Sequence, residues 1–365
     1  MSDKTDQTTV LYTRNGFAGR MATMVREQYS PDYTRVVGSY APRILNLHGV
    51  DPGVFADPRA LPVTVLQGEG LSMEVSYRTQ DSIFGLRNVF ADEVHIVLAG
   101  SATLETEFGV LRIQKDDLIL IPRATTYRFV DVEGDLREYI LASDTELSFA
   151  MQVGLGPLKR FETPSPYADP SIRKGEFETI IRHGDEFTSY FTDYDPLPTV
   201  STSGTSVVIK VNINDLRSVD MSSGLLLPPL IFDDTTTQTL IYDLSARRGG
   251  RPPVHYNAEY DESILYLSGP GSWGGVDTPG TITHTPKGLP HQGPTEDVPE
   301  GYRAILIETR CKMRVTATGR DISYLAETDQ FSRHPSENQS SDRLAGGAPA
   351  PAGDPDPGAA RHDHP

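Results

Sequence analysis

Cysteine is nearly absent: Cys311 stands alone among 365 residues, which excludes an internal disulfide framework and any paired-cysteine metal or redox site. Basic residues are also scarce, 33 against 50 acidic ones, giving a net charge of −17. Such a surface repels phosphate backbones and anionic lipid, so neither nucleic acid nor a membrane is expected as the main partner. No apolar run reaches the roughly 20 residues a helical bilayer span needs. The opening MSDKTDQTTV has no apolar signal core, and a cytoplasmic location is expected. Turn formers, by contrast, are abundant: 32 glycines and 28 prolines punctuate a chain that is still 37% hydrophobic.

Between those turns, short β-branched and aromatic stretches recur. They include Glu93–Leu98, Ala102–Glu107, Val110–Ile113, Leu118–Ile121, Val207–Val211, Thr239–Leu244, Ser263–Leu267 and Arg303–Glu308. Regular short strands with glycine-rich turns predict an all-β fold of the sandwich or barrel type. Helical patterns are few; the best lie at Phe17–Glu27 and, more weakly, Ser171–Arg182. The chain also repeats loosely, since Glu93 and Glu262 each precede a glycine by six intervening residues. Length and repeat together suggest an N-terminal extension (1–60), a first β module (61–150), a connecting region (151–205), a second module (206–328) and a disordered tail (329–365). His362 and His364 in that tail read as solvated residues rather than ligands.

Chemistry concentrates in the second module. Gly249 is followed after five residues by His255-Tyr256-Asn257, after four more by Glu262, and after six more by Gly269. Gly280 then precedes Pro286-Lys287-Gly288, and His291 follows two residues later. This spacing resembles both halves of the cupin motif, with Asn257 in place of its second histidine. It implies two double-stranded β-helix (jelly-roll) modules. Brought to one barrel mouth, His255, Glu262 and His291 would leave open positions on an octahedral ion, a set suited to Fe(II). Mn(II), Ni(II) and Cu(II) accept the same ligands. In the first module Leu86, Arg87 and Asn88 stand where a histidine pair would begin, and Tyr127 replaces the final histidine. That module reads as metal-free, with Glu93 a leftover carboxylate and His95 lacking a partner.

Three stretches go further: DEVHIVLAGSATLETEFGVLRIQKDDLILIPRATTYRF, RPPVHYNAEYDE, and GSWGG…GTITHTPKGLPHQGP with the following RAILIETRCKMRVTATG. Over roughly residues 80–320 the chain resembles the homogentisate 1,2-dioxygenase family of bicupins. The resemblance implies an Fe(II)-dependent enzyme that uses O2 to open the ring of a small phenolic substrate related to homogentisate, gentisate or an aminophenol. It makes His255, Glu262 and His291 the ligands, with Asp261 an alternative carboxylate and Asn257 beside them. A homo-oligomer is the family expectation. The family carries a catalytic histidine after a Phe-Asp pair; here the stretch is Phe232-Asp233-Asp234, so Asp234 takes that place as a base, as a partner for a cationic substrate group, or simply as the start of a turn. Tyr256, Tyr260 and Tyr266 are candidates to stack on a ring, or ordinary strand residues. Arg247, Arg248, Arg251 and Lys287 are candidates for a substrate carboxylate, or solvated cations. His284 is a candidate to support the ligands. The competing readings are a cupin isomerase or epimerase working without O2, and a non-catalytic binding bicupin.

Overall fold

A computed structural model describes residues 7–16, 18–31, 33, 35–150, 160–205, 207–216, 228–244, 253–268, 278–292 and 303–326. They form three sheets of three, eight and eleven strands, with one five-residue α-helix at Ala317–Asp321 and three single 3-10 turns. The fold is all-β, with two barrels packed against each other, as the strand periodicity predicts.

The second barrel sets the eight-stranded sheet against the three-stranded one. In the larger sheet, Asp261–Ser268 lies between Arg303–Thr309 and Thr281–Thr285, and Thr239–Asp243 flanks Arg303–Thr309. In the smaller, Val254–Asn257 runs parallel to Gln7–Asn15, which turns back into Ala18–Glu27. Alternation along these strands divides their side chains between two apolar cores. Leu240, Tyr242, Ile264, Tyr266 and Leu306 fill the inside of this barrel. Ile241, Leu265, Ile305 and Ile307 face the other way and join Val94, Ile96, Leu118 and Leu141 of the first barrel in one shared core. A third cluster, with Leu86, Val97, Leu104, Ile119 and Phe129, fills the first barrel.

The chain weaves between barrels more than a linear division suggests. Arg43–Asn46, in the expected extension, pairs with Thr281–Thr285 of the second barrel, and Leu147–Phe149 pairs with Leu230–Asp234. In return, Ile209–Asn212 pairs with Asp117–Ile121, and Arg314–Val315 with Val63–Gln67.

Both expected helices are strands. The pattern at Phe17–Glu27 forms Ala18–Glu27, the second arm of a hairpin whose Asn15-Gly16 turn is the signal that matters: Gly16 sits at φ +58°, a conformation glycine adopts without strain. Ser171–Arg182 overlaps the strand Lys174–His183, which returns through Gly184 (φ +66°) into Glu186–Tyr194 and joins the first barrel's sheet beside Gly85–Asn88. Strand alternation and an edge to pair with outweigh the weak helical period in both cases. The tail beyond 326, with His362 and His364, lies outside the described residues.

Candidate metal centre

Three side chains converge inside the second barrel. His255 and Asn257 share one face of Val254–Asn257, Glu262 opens the strand Asp261–Ser268, and His291 follows the turn after Pro286. Reciprocal backbone hydrogen bonds of 2.8 Å join His255 to His291, so the two rings lie side by side, tilted by 55° with centroids 4.4 Å apart. One ligand atom from each of His255, Glu262 and His291 lies within 4.8 Å of the others, with His291 Nε2 3.1 Å from Glu262 Oε2. Each imidazole is turned by its own chain: His255 Nδ1 is 3.1 Å from the Pro253 carbonyl and His291 Nδ1 2.9 Å from that of Leu289. Donating from Nδ1 leaves Nε2 as the ligating nitrogen in both rings.

The charge balance suits a cation. Burial and then the neighbouring His291 push His255 down to about 4, so this ring is neutral at pH 7. Burial acts to lower His291 too, but the Glu262 carboxylate outweighs it and raises the value. Glu262 is held below the usual carboxylate range: burial opposes ionisation, and the His291 imidazole overcomes it. Strand alternation separates Glu262 from Asp261. Asp261 faces outward, accepting from the Lys287 and Met313 backbone N–H groups at 2.9 and 3.0 Å, so it is a clasp and not a ligand.

A fourth polar residue is unexpected. Glu308 is directly opposite Glu262 in the ladder and is 2% exposed. Its Oε1 accepts from Asn257 Nδ2 at 3.3 Å, while its buried Oε2 has no hydrogen-bond partner. Asn257 also donates to Glu262, so this amide, where other cupins use histidine, sits between the two carboxylates. Burial, reinforced by Glu262, raises Glu308 well above the usual carboxylate value and so favours its protonated form. The turn at Gly16 closes against it: a Cβ there would collide with the Glu308 carboxylate. Tyr242 shares this inner face, since the pairs Leu240–Glu308 and Tyr242–Leu306 place all four side chains on one side; burial followed by Glu308 raises its phenol. The signal for Glu308 was the acidic end of RAILIET, where Ala304, Leu306 and Glu308 alternate with isoleucines.

Several candidates are placed elsewhere. Asp234 is 1% exposed and its oxygens are saturated: Oδ1 accepts from Thr236 and Gln238, Oδ2 from the Thr239 N–H (2.7 Å) and Thr145 (3.2 Å). It organises the DDTTTQ turn, the structural alternative, and has no lone pair left to act as a base. Tyr256 lies on the opposite face from His255, edge-on to Tyr12 at 5.5 Å. Tyr260 donates to the Thr237 carbonyl and packs in the barrel core under Arg310, and Tyr266 lies in the same core. Lys287 donates to the carbonyls of Glu259 and Arg310 on the Asp261 side. His284 pairs with Ser263 at 3.0 Å, on the face opposite Glu262, so it does not support the ligands. Arg247, Arg248, Arg251, Gly249 and Gly269 lie outside the described residues.

The first barrel repeats the architecture with different chemistry. Leu86 pairs with Tyr127 as His255 does with His291. Asn88 Nδ2 donates to Glu93 at 2.8 Å, and Tyr127 Oη donates to the same carboxylate at 2.9 Å. Leu86 offers no ligand atom, and the tyrosine hydroxyl occupies the carboxylate. His95 is far from partnerless: its Nδ1 is 3.0 Å from Glu138, its Nε2 3.5 Å from Glu93. Burial would lower it, but these carboxylates, Glu138 foremost, raise it to about 9.

No family profile matches the chain. It is 23% identical over 271 residues to a protein of Saccharolobus solfataricus named "Putative dioxygenase", a match covering 65% of this chain and 67% of that one. Among solved structures, it is similar to a cupin 2 conserved barrel domain protein from Leptotrichia buccalis, with a TM-score of 0.43, 12% identity, and 73% and 95% of the two chains covered. It is also similar to vicilin from Capsicum annuum, with a TM-score of 0.38, 10% identity, and 67% and 77% covered. By its own strand pairing the chain forms two β-barrels, and a two-histidine, one-glutamate cluster able to hold a metal ion lies in the second.

Proposed function

We propose that the protein is an Fe(II)-dependent dioxygenase that opens the ring of a phenolic substrate related to homogentisate, gentisate or an aminophenol. The observation that carries this reading is the convergence of His255, Glu262 and His291, with both Nδ1 atoms held by backbone carbonyls so that each Nε2 points to the shared centre. These three donors fit a divalent first-row ion, and a set of this kind with open positions is the one non-heme Fe(II) oxygenases use. The name of the Saccharolobus relative supports the oxygenase class. Iron, when bound there, supplies a Lewis-acidic centre with open positions and redox chemistry toward O2.

The chain's own residues do the rest. The carbonyls of Pro253 and Leu289 hold the ring orientations, and Asn257 keeps Glu262 and Glu308 apart. Ile264, Leu306 and Tyr242 give the barrel an apolar lining that limits water. Glu308 holds a proton on a carboxyl oxygen beside the centre, and this is the group placed to exchange a proton with a phenolic substrate.

Anaerobic reconstitution with Fe(II), followed by O2-uptake assays on dihydroxy and aminohydroxy aromatics, tests the reading. Stoichiometric iron and ring-opened product are expected for the wild type, and neither for His255→Ala. Wild type that binds no iron and matches His255→Ala throughout would sink it. Glu308 also favours a second reading, isomerisation by proton transfer. Full turnover under nitrogen selects that one.

A further inference from the structure

A cationic cleft in this acidic protein lies behind the metal centre, on the Asp261 side of the strand that carries Glu262. Where Ser39–Arg43, Gln67 and residues 312–320 meet, they enclose a cleft of about 1100 Å³. Arg43, Lys312, Arg314 and Arg320 line it, together with Lys287, and the lining includes no carboxylate residue. Lys287 is neutralised by Asp261 at 3.8 Å. The other four have no carboxylate within ion-pair distance among the described residues, while Arg87, Arg112, Arg128 and Arg182 elsewhere all do.

Lys312, Arg314 and Arg320 are exposed at the cleft rim, whereas Arg43 is drawn inward. Arg43 is half-buried, and burial and then Arg320 both hold its guanidinium below the usual value, so two cations face each other with no anion between them. Among the described residues each is anchored at one nitrogen: Arg43 Nη1 donates to Ser323 Oγ at 3.2 Å and Arg320 Nη1 to the Val315 carbonyl at 3.1 Å. The remaining donors of both forks stay available, and a planar fork pairs best with a carboxylate or phosphate. The cleft also sits where the two barrels exchange strands, a usual place for small-ligand sites.

We infer that this cleft binds a small polyanion carrying at least two phosphate or carboxylate groups. The site is independent of the proposed ring cleavage. It adjoins the metal barrel through Arg43, whose strand pairs with Thr281–Thr285, and through Asp261, whose carboxylate clasps the backbone of Lys287 and Met313 in the cleft wall.

Titration calorimetry of the full chain with inorganic pyrophosphate, and separately with the tricarboxylate tricarballylate, tests the inference and tells the two anion chemistries apart. Saturable micromolar binding of at least one probe is expected. It should weaken at least tenfold in R314Q/R320Q and measurably in Lys312→Gln, with the circular dichroism spectrum unchanged. His255→Ala should bind as the wild type does, which separates the cleft from chelation at the metal centre. Absence of saturable binding by either probe, undiminished binding in both charge variants, or loss of binding in His255→Ala would each overturn it.

Discussion

Neighbouring carboxylates on one strand can serve opposite purposes because side chains alternate between faces. Asp261 accepts two backbone N–H groups on the outside, and Glu262 meets the histidines on the inside. Glu262→Gln is therefore expected to abolish metal binding in calorimetric titration with Mn(II) or Fe(II), because the carboxamide has no anionic oxygen to offer. Asp261→Asn should keep the metal and lose stability instead, by about 1–3 kcal/mol for a buried charged acceptor replaced, read from denaturant midpoints. The opposite assignment of effects would mean that the ligand is Asp261. Proton release gives an independent check. His255 is neutral at pH 7, while the Glu262 carboxylate raises His291, so of the two imidazoles His291 is the one whose proton competes with metal as pH falls.

At the scale of elements, the N-terminal hairpin is part of the site rather than an appendage. It pairs in parallel with the strand of His255, placing Leu11 and Thr13 beside His255 and Asn257, and its Gly16 turn lies against Glu308. Gly16→Ala meets two penalties, a left-handed φ and a collision with the buried carboxylate. A loss of about 1–3 kcal/mol is expected from the strained backbone conformation alone. Thermal melts with and without metal would show whether the displaced hairpin also weakens the centre. A Gly16→Ala protein as stable as wild type would mean that the turn does not close there.

The whole molecule is held by an interface that is itself a core. Isoleucines and leucines from both barrels pack together, and strands cross between them in both directions, so the barrels are expected to unfold in one calorimetric transition. The first barrel then contributes a pH dependence to the entire chain. His95 is raised from 6.5 to about 9, so the folded state keeps its proton where the unfolded chain has lost it. This stabilisation is complete below 6.5 and declines as pH rises through 9, by about 3 kcal/mol at 1.36 kcal/mol per unit. His95→Gln should flatten the stability profile across that window; an unchanged slope would place the dependence elsewhere.

What could be read in the chain alone was whatever depends on spacing. Strand periodicity, the glycine punctuation and the positions of His255, Glu262 and His291 are local in sequence, and local rules describe them. Tyr256 and His284 lie on strand faces away from the ligands and Lys287 on the Asp261 side, because proximity in sequence does not say which way a side chain points. Tyr260, Tyr266 and Asp234 take the structural places that were their alternative readings. Glu308 lies 46 residues after Glu262, the ligand it faces across the ladder, and Gly16 of the hairpin lies 239 residues before His255. Only long-range strand pairing brings them to the centre. The cationic cleft is likewise assembled from four distant segments in a protein of net negative charge, so composition pointed away from it. Sequence determined which residues were able to ligate; tertiary pairing decided which of them face one another, because register across strands is set by the packing of whole cores.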